Sequence, residues 1–328
     1  MGRKNKLKEL LSKIESNHIC IQTHIFPDPD AIACAFAMQE LLNKYGITSD
    51  VCYGGLIDKY STKKLVEYLD ICMKNVDEIE DKRTYDTILF VDSQAGNSNS
   101  SPLIGKVMLC IDHHEGFEMA EYAYADICPD IGACATIILQ YYLDNDVPIS
   151  CKAATALSFG LQIDTYNLTR GTTQMDVDAF QKMYQYSDHE FLNMIYRQNV
   201  DQEGLIAFTH SFNNLDIKDK ICFVNVGDQC PDAMAATISD FVLDIEDIQL
   251  VLAYTKRENG VKFSMRSISR QFDCGILMYA VLLNIGSGGG HPTMAGGFIS
   301  KTEGMDVDAT IQIIKEKLVY LVERICSD

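Results

Sequence analysis

Short apolar runs alternate with longer segments of helical periodicity along the first half of the chain. Apolar strands that run almost without polar interruption are typical of a parallel sheet whose two faces are covered by helices. The strands are predicted at residues 18–24, 50–55, 86–92 and 106–114, and the helices at residues 30–46, 62–70, 131–145 and 150–163. This alternation predicts an α/β fold with a parallel sheet and helices on both faces.

The second half of the chain has a different order of elements. A polar region of helical character, residues 174–215, leads to strands at 220–227, 247–257 and 260–270 and to helices at 232–246, 273–284 and 306–325. This order is typical of a smaller mixed α+β domain, and the chain length favours two domains. The predicted bounds are 1–190 for the first domain, 191–215 for a linker and 216–328 for the second domain.

Composition and charge limit the kinds of partner that the chain is expected to bind. The chain has 328 residues, a hydrophobic fraction of 47% and a formal net charge of −18. Long duplex nucleic acid is therefore not an expected partner, because binding it needs a broad basic face. A small anionic ligand that is held by metal ions remains compatible with this charge. The twelve cysteines form no Cys-x-x-Cys pair, and most lie in apolar runs, which predicts reduced, buried thiols in a cytoplasmic protein.

No membrane partner is predicted. Residues 1–17 lack the uninterrupted apolar segment of a signal peptide, and no stretch approaches the roughly 20 apolar residues of a membrane span. Leu7, Leu10, Leu11 and Ile14 follow the spacing of one face of a short amphipathic helix. The sequence leaves the oligomeric state open, and a homodimer is compatible with it.

Carboxylates and imidazoles follow three of the predicted strands of the first domain. In an open parallel sheet, ligands bind in the crevice beyond the carboxyl ends of the strands. One further aspartate follows a predicted helix, where the helix dipole disfavours an anion and a compensating cation is favoured. These residues are His24, Asp28, Asp30, Asp92, Asp112, His113, His114 and Asp164.

Each of these residues alone has a simpler explanation. An aspartate after a strand is commonly a turn former, Asp28 and Asp30 suit the cap of the following helix, and His113 suits an exposed position. Their joint occurrence favours a metal centre, since carboxylates this close repel one another unless a proton or cation lies between them. Imidazole and carboxylate ligands without thiolate favour Mn²⁺, with Mg²⁺ or Co²⁺ as alternatives, over structural zinc.

At these residues the sequence resembles the DHH phosphoesterase superfamily. The segments that carry the resemblance are HIFPDPDA (24–31), FVDSQ (90–94), DHHEG (112–116) and GLQIDTYNLTR (160–170). In the second domain, GSGGGHPTMAGGF (286–298) resembles the Gly-Gly-Gly-His signature of the DHH-associated nucleotide-binding domain. The chain most resembles the two-domain oligoribonucleases that also remove the 3′-phosphate from 3′-phosphoadenosine 5′-phosphate.

The resemblance implies two metal ions that share one ligand. It implies that a neighbouring histidine is oriented by Asp112 and that His114 faces the substrate and stabilises a phosphoryl oxygen. A metal-activated water would then attack phosphorus. The ligands implied for one ion are His24, Asp28 and Asp92, and those for the other are Asp30, Asp92, His113 and Asp164.

In the second domain, the resemblance implies substrate contacts from Arg266, Ser267, Gly288, Gly289, Gly290 and His291. Consecutive glycines let a backbone approach a ligand and direct amide hydrogens at an anion, which predicts a substrate loop; a flexible linker is the alternative. Arg266 lies on a strand with alternating apolar and polar positions, so an ordinary exposed arginine is its alternative. Arg170 is a weaker candidate for substrate contact.

The predicted function is metal-dependent hydrolysis of phosphoester bonds in short oligoribonucleotides or 3′-phosphoadenosine 5′-phosphate. Cyclic di-AMP or its linear dinucleotide product is an alternative substrate. Inorganic pyrophosphatases and exopolyphosphatases share the first-domain motifs, but the Gly-Gly-Gly-His segment favours a nucleotide. A metal-dependent nucleotide sensor without turnover is the alternative outside the enzymes. The polar stretch at residues 93–101 has no assigned role.

Overall fold

The protein is represented by a computed structural model that describes residues 4–327, except 58, 82–83, 97–99, 101–102, 104, 116–120, 198–199 and 201. Gly116 of the DHHEG segment and part of the stretch 93–101 therefore lie outside the described residues. The chain divides into two compact units, Met1–Asn199 and Val200–Asp328, and each is described by itself.

The first unit is an α/β unit built on one parallel sheet. Its strands are β1 (His18–Ile25), β2 (Thr48–Gly54), β3 (Met73–Asn75), β4 (Thr87–Val91), β5 (Val107–Asp112) and β6 (Tyr124–Ile127), and its helices are α1 (Lys4–Ser12), α2 (Pro29–Lys44), α3 (Tyr60–Leu69), α4 (Cys134–Leu143), α5 (Cys151–Asp164), α6 (Gln174–Tyr184) and α7 (His189–Arg197). The strand order is β3-β2-β1-β4-β5-β6, and every neighbouring pair is parallel. The predicted fold class is confirmed.

The predicted central strands are confirmed, whereas β3 and β6 at the two edges were not predicted. All five residues of β4 are buried, as its apolar sequence indicated. In contrast, β3 has three residues and β6 has four, and neither has the long apolar run of a buried strand. Edge strands receive their conformation mainly from pairing with a neighbour, which a local pattern does not report.

The second unit is a mixed sheet with helices. Its strands are β7 (Leu215–Lys218), β8 (Ile221–Asn225), β9 (Leu250–Arg257), β10 (Gly260–Ser267), β11 (Ser287–His291) and β12 (Met294–Ser300), and its helices are α8 (Gln202–Phe212), α9 (Asp232–Leu243), α10 (Cys274–Leu282) and α11 (Val307–Ser327). The strand order is β11-β12-β10-β9-β8-β7. The pair β8–β9 is parallel and the other pairs are antiparallel, which confirms the mixed α+β class.

The glycine-rich segment of the second unit is a β-hairpin, not the loop that the sequence suggested. Gly288 pairs with Gly297 and Gly289 pairs with Gly296. A methyl group on Gly288 would lie 2.7 Å from Met278 Cγ of α10, and one on Gly297 would lie 2.4 Å from Leu282 Cδ1. Glycine at this pair therefore lets the hairpin lie directly on α10, while Gly289 and Gly296 face open space.

Helices occupy much of the segment predicted as a linker. Residues 191–215 include most of α7 and all of α8. Among the helices of the described residues, none combines the length and the apolar character that crossing a bilayer requires.

Candidate metal centre

The candidate residues of the first unit lie at the carboxyl ends of the central strands. Strands β1 and β4 are neighbours, and from this pair the chain runs outward through β2 and β3 on one side and through β5 and β6 on the other. Ligands of open parallel sheets bind at such a reversal of strand order. His24 is the penultimate residue of β1, Asp92 directly follows β4, and Asp112 is the last residue of β5.

Asp92 lies at the centre of this group. It is 2% exposed and has a φ of 52°, a left-handed conformation that aspartate tolerates better than most residues. Its two carboxylate oxygens face different histidines: Oδ2 lies 3.8 Å from His24 Nε2, and Oδ1 lies 3.4 Å from His113 Nε2. The Asp92 carboxylate therefore offers one oxygen atom toward His24 and the other toward His113.

The backbone fixes the orientation of both histidines. Nδ1 of His24 lies 2.8 Å from the carbonyl oxygen of Ile25, and Nδ1 of His113 lies 3.1 Å from that of Ile131. Since a carbonyl oxygen only accepts, Nδ1 carries the proton in each ring and Nε2 is directed at the carboxylates. A histidine whose second nitrogen is committed in this way is typical of a metal ligand.

Asp28 and Asp30 each have a structural contact in addition to their place in the cluster. Asp28 caps α2, because its Oδ1 accepts from the backbone N–H groups of Asp30 and Ala31 at 2.9 Å and 3.0 Å. Asp30 is buried, and its carboxylate accepts from the N–H groups of Cys134 and Ala135 at the start of α4. The predicted cap of the following helix is therefore formed by Asp28, whereas Asp30 binds the start of a different helix, α4. Neither contact removes its residue from the cluster.

Asp164 is the last residue of α5 and completes the cluster. Its Oδ2 lies 3.2 Å from His113 Nε2. Three consecutive residues in the left-handed conformation, Tyr166–Leu168, follow it and turn the chain sharply. Arg170 then returns to donate a hydrogen bond from Nη2 to the carbonyl oxygen of Asp164 at 3.2 Å. Arg170 thus acts on the backbone of this turn.

Asp112 orients His114. Its Oδ1 accepts a hydrogen bond from Nδ1 of His114 at 2.9 Å and lies 2.8 Å from the backbone N–H of His113. Its Oδ2 accepts from Nε2 of Gln94 at 2.7 Å. His114 is partly exposed, and its ring is held with Nδ1 turned inward, so that Nε2 is the nitrogen left for other contacts.

Three overlapping groups in the described residues could hold a metal ion, and Asp92 belongs to all three. In each group, the candidate ligand atoms lie within 4.8 Å of one another. Two buried atoms at the centre, Asp92 Oδ1 and His113 Nε2, make no hydrogen bond of acceptable geometry with the described residues. Buried polar atoms left unbonded are costly, and a cation between them would satisfy both. The groups are His24, Asp28 and Asp92; Asp30, Asp92, His113 and Asp164; and Asp92, His113 and His114.

The electrostatics of the cluster also favour a bound cation. Burial, followed by the charges of Asp30 and Asp28, raises the pKa of Asp92 well above its usual range. Burial and the charge of Asp164 raise the pKa of Asp30 in the same way. Burial works to lower the pKa of His113, but the neighbouring Asp164 carboxylate outweighs it and raises that pKa to about 9. Divalent cations would relieve this repulsion between carboxylates.

Because Gly160 of α5 has no side chain, it leaves room for Asp30 of α2. A methyl group on Gly160 would lie 2.6 Å from Asp30 Oδ1 and 2.8 Å from Asp30 Cα. In a helix with free space, Gly→Ala stabilises by about 0.5–1 kcal/mol. At Gly160 the clash with Asp30 would make the substitution destabilising instead.

We expect Gly160→Ala to lower the free energy of unfolding by about 1–3 kcal/mol, the usual cost of overpacking, and to weaken Mn²⁺ binding by about 10- to 100-fold. Thermal unfolding with and without metal, together with Mn²⁺ titration, measures both effects. Unchanged or increased stability with unchanged metal affinity would show that α2 and α5 can move apart at this point.

The second unit has a cavity of about 310 Å³ between the glycine hairpin and α9. Arg266, Gly290 and His291 of the predicted substrate residues line it, together with Lys262 and Gly296. Arg266 is held by a salt bridge in which its Nε donates to Asp240 Oδ1 at 3.1 Å. Gly288 and Gly289 precede Gly290 and His291 on the same strand, β11, and are not among the lining residues.

Ser267 occupies a different position from Arg266. It is buried, and its hydroxyl lies 3.1 Å from the carbonyl oxygen of Gln249 and 3.2 Å from that of Ser269. It does not line the cavity. Because side chains alternate along a strand, Ser267 points to the face opposite Arg266.

Three residues were not singled out from the sequence. Gly160 and Gln94 contact residues of the cluster, and Asp176 holds the start of α4. Asp176 is buried and joins two segments, since it accepts hydrogen bonds from the backbone N–H of Gly132 at 3.0 Å and from the hydroxyl of Thr136 at 2.6 Å. The Thr-x-x-Asp spacing is the local sequence signal of the capping box that Asp176 forms with Thr173. The long-range contacts had no local signal.

Two domain families match the chain. Residues 18–161 match the DHH family, N-terminal domain, and residues 218–319 match the DHHA1 domain. The uncharacterized protein MJ1633 of Methanocaldococcus jannaschii is 31% identical over 299 residues, which are 90% of this chain and 60% of that protein. A probable manganese-dependent inorganic pyrophosphatase of Lactiplantibacillus plantarum is 27% identical over 177 residues, 51% of this chain and 55% of that protein. The chain therefore spans less than two thirds of these relatives.

Solved structures show the same fold at low sequence identity. The crystal structure of an exopolyphosphatase-related protein from Bacteroides fragilis superposes with a TM-score of 0.79 at 15% identity, and covers 98% of both chains. The crystal structure of RecJ in complex with Mn²⁺ from Thermus thermophilus superposes with a TM-score of 0.59 at 12% identity, over 98% of this chain and 54% of that one.

Proposed function

We propose that the chain is a metal-dependent phosphoesterase, because residues 18–161 match the DHH family, N-terminal domain, and residues 218–319 match the DHHA1 domain. Its proposed substrates are small nucleotides, namely short oligoribonucleotides or 3′-phosphoadenosine 5′-phosphate. The observation that carries the proposal is the buried Asp92 carboxylate, whose two oxygens face His24 and His113 in ligand groups that share it. Cyclic di-AMP and its linear product are alternative substrates of the same class.

The proposed ligands divide into two sets around Asp92. His24 and Asp28 complete one set, while Asp30, His113 and Asp164 complete the other. When bound, divalent cations supply Lewis acidity toward phosphoryl oxygens and lower the pKa of a water molecule. The curated relatives named as manganese-dependent, and the imidazole and carboxylate donor set, support Mn²⁺.

The remaining residues of the first site have proposed roles that need no metal contact. Asp112 holds the Nδ1 proton of His114 and keeps the ring in one orientation. The partly exposed His114 then presents Nε2 toward a phosphoryl oxygen, which in the imidazolium form it stabilises by donating a hydrogen bond. Gln94 keeps Asp112 in place from the other side.

The cavity of the second unit supports a nucleotide over a bare phosphate. Its lining places the cationic Arg266 and Lys262 near Gly296, where an added methyl group would meet no described atom within 4 Å. A cation beside an open backbone surface suits a ligand with both an anionic group and a flat ring. The second candidate function, pyrophosphate or polyphosphate hydrolysis, is supported by the curated relatives named as probable inorganic pyrophosphatases.

The test is turnover by the Mn²⁺-loaded protein of a dinucleotide, 3′-phosphoadenosine 5′-phosphate, cyclic di-AMP and pyrophosphate, ranked by kcat/KM. We expect the nucleotides to rank first, and Arg266→Ala to raise their KM by about 10- to 100-fold, the value of a hydrogen bond to a charged group. Arg324→Ala, on α11 outside the cavity, is the matched control.

Pyrophosphate at the top of the ranking, with Arg266→Ala silent, would support the second candidate function instead. No turnover of any phosphoester with Mn²⁺ would leave the nucleotide sensor as the better explanation.

A further inference from the structure

Phe26 is an exposed aromatic residue in a backbone conformation that bulky residues rarely adopt. Its φ is 55°, in the left-handed region, and its side chain is 57% exposed. A bulky residue in this region is a genuine outlier, and neither core burial nor helix termination explains it here. Strained residues of this kind cluster at ligand sites, where surrounding contacts hold them.

The neighbouring strand holds Phe26 in this conformation. The pairing of β1 with β2 shifts register between Gln22 and Ile25, a bulge that changes the direction of the strand. The backbone N–H of Phe26 then donates to the carbonyl oxygen of Gly54 at 2.9 Å. The phenyl ring lies against Gly55, where a methyl group would come within 2.9 Å of ring carbon Cε1.

Gly55 is itself fixed, so the ring rests on a defined surface. Its φ is +67°, which favours glycine, and its carbonyl oxygen accepts a hydrogen bond from Nδ2 of Asn75 at 2.9 Å. One side of the phenyl ring is therefore supported by backbone, while more than half of the side chain faces solvent.

The position of Phe26 relates this ring to the candidate metal centre. It lies midway in sequence between His24 and Asp28, whose Nε2 and Oδ1 atoms are 3.9 Å apart. The segment that carries two candidate metal ligands therefore also carries an exposed aromatic ring. Aromatic rings of this kind stack on nucleobases with little preference for sequence.

We propose that Phe26 is a specificity-determining residue that stacks on the nucleobase of a substrate whose phosphate binds at the candidate metal centre. This inference rests on the proposed function and deepens it, because it assigns nucleotide selectivity to the first unit. Inorganic phosphate and pyrophosphate have no ring to stack, so Phe26 favours nucleotides over them.

The test compares binding of adenosine monophosphate and of inorganic phosphate to the Mn²⁺-loaded protein by calorimetry. Phe26→Asn removes the ring and keeps a residue that tolerates the left-handed conformation, whereas Phe26→Tyr keeps the ring. We expect Phe26→Asn to weaken adenosine monophosphate binding by about 5- to 100-fold, the range for one base stack, and to leave phosphate binding within twofold. Phe26→Tyr should retain both affinities.

Thermal unfolding separates this role from a structural one. Because asparagine relieves the backbone strain, Phe26→Asn should leave the melting temperature unchanged or raise it. The matched control is Tyr45→Asn, an exposed aromatic residue at the other end of α2, about 24 Å along the helix from Asp28. It should change neither affinity.

Unchanged adenosine monophosphate affinity in Phe26→Asn, or equal losses for both ligands, would overturn the inference. Both outcomes are independent of turnover. An inactive wild-type protein whose nucleotide affinity still depends on Phe26 would contradict the phosphoesterase proposal and support the stacking role.

Discussion

Asp92→Ala is expected to lower kcat/KM for phosphoester hydrolysis by about a thousandfold or more while the protein stays folded. The substitution removes the carboxylate common to all three candidate ligand groups. Metal-ion catalysis contributes several kcal/mol of transition-state stabilisation, and each 1.36 kcal/mol corresponds to a tenfold change in rate. The free energy of unfolding should not fall enough to unfold the protein. Burial and the neighbouring carboxylates already disfavour the charge of Asp92, as its raised pKa indicates, so the substitution removes an unfavourable charge.

Asp86→Ala is the matched control for this substitution. Asp86 directly precedes β4, at the opposite end of the strand from Asp92, and forms an exposed salt bridge with Lys106. Its loss should change kcat/KM by less than twofold, since exposed pairs contribute little. Steady-state kinetics, metal content and circular dichroism measure the outcome. Activity of Asp92→Ala within tenfold of the wild type, with full metal content, would exclude the bridging role.

Removal of divalent metal is expected to abolish turnover completely, and Mn²⁺ should restore it better than Zn²⁺. The donor set contains imidazoles and carboxylates without a thiolate, which suits Mn²⁺ better than a structural zinc site. Dialysis against a chelator, followed by addition of each metal over a concentration series, gives the order of activation. Better restoration by Zn²⁺ would overturn the metal assignment.

Metal binding should also appear without any substrate. At a hundredfold excess over its Kd, one bound ligand adds about 2.7 kcal/mol to stability, or about 5–10 °C in Tm for a unit of this size. The wild type should show this shift with Mn²⁺, and Asp92→Ala should not. A shift of equal size in both proteins would place the metal elsewhere in the molecule.

The residues of the candidate centre were found from the sequence because position and chemistry are both local signals. His24, Asp92 and Asp112 each end an apolar strand, and the carboxyl ends of parallel strands share one edge of the sheet. The structure brings all six predicted metal ligands into the overlapping groups, and it places Asp112 against His114 as the resemblance implied. Their roles as ligands stay a prediction.

Other features depend on contacts between distant segments. The glycine hairpin forms through strand pairing, and the hydrogen bonds of Ser267 and Asp176 join segments that are far apart in the sequence. No local sequence pattern reports these contacts. Gly160 likewise appears ordinary until α5 packs against Asp30. The positive φ of Phe26 arises from a bulge in β1, which in turn depends on the register with β2.

The sequence by itself determined the order of the central strands and helices, the α/β and α+β classes of the two units, and the identity of the acidic and imidazole residues at the strand ends. These follow from hydrophobic periodicity and from residue chemistry, which act over a few positions. Only the tertiary structure decided which nitrogen of each histidine faces the carboxylates, where a side chain is excluded and which aromatic residue is strained and exposed. Those properties depend on hydrogen-bond partners and packing distances set by residues far apart in the chain.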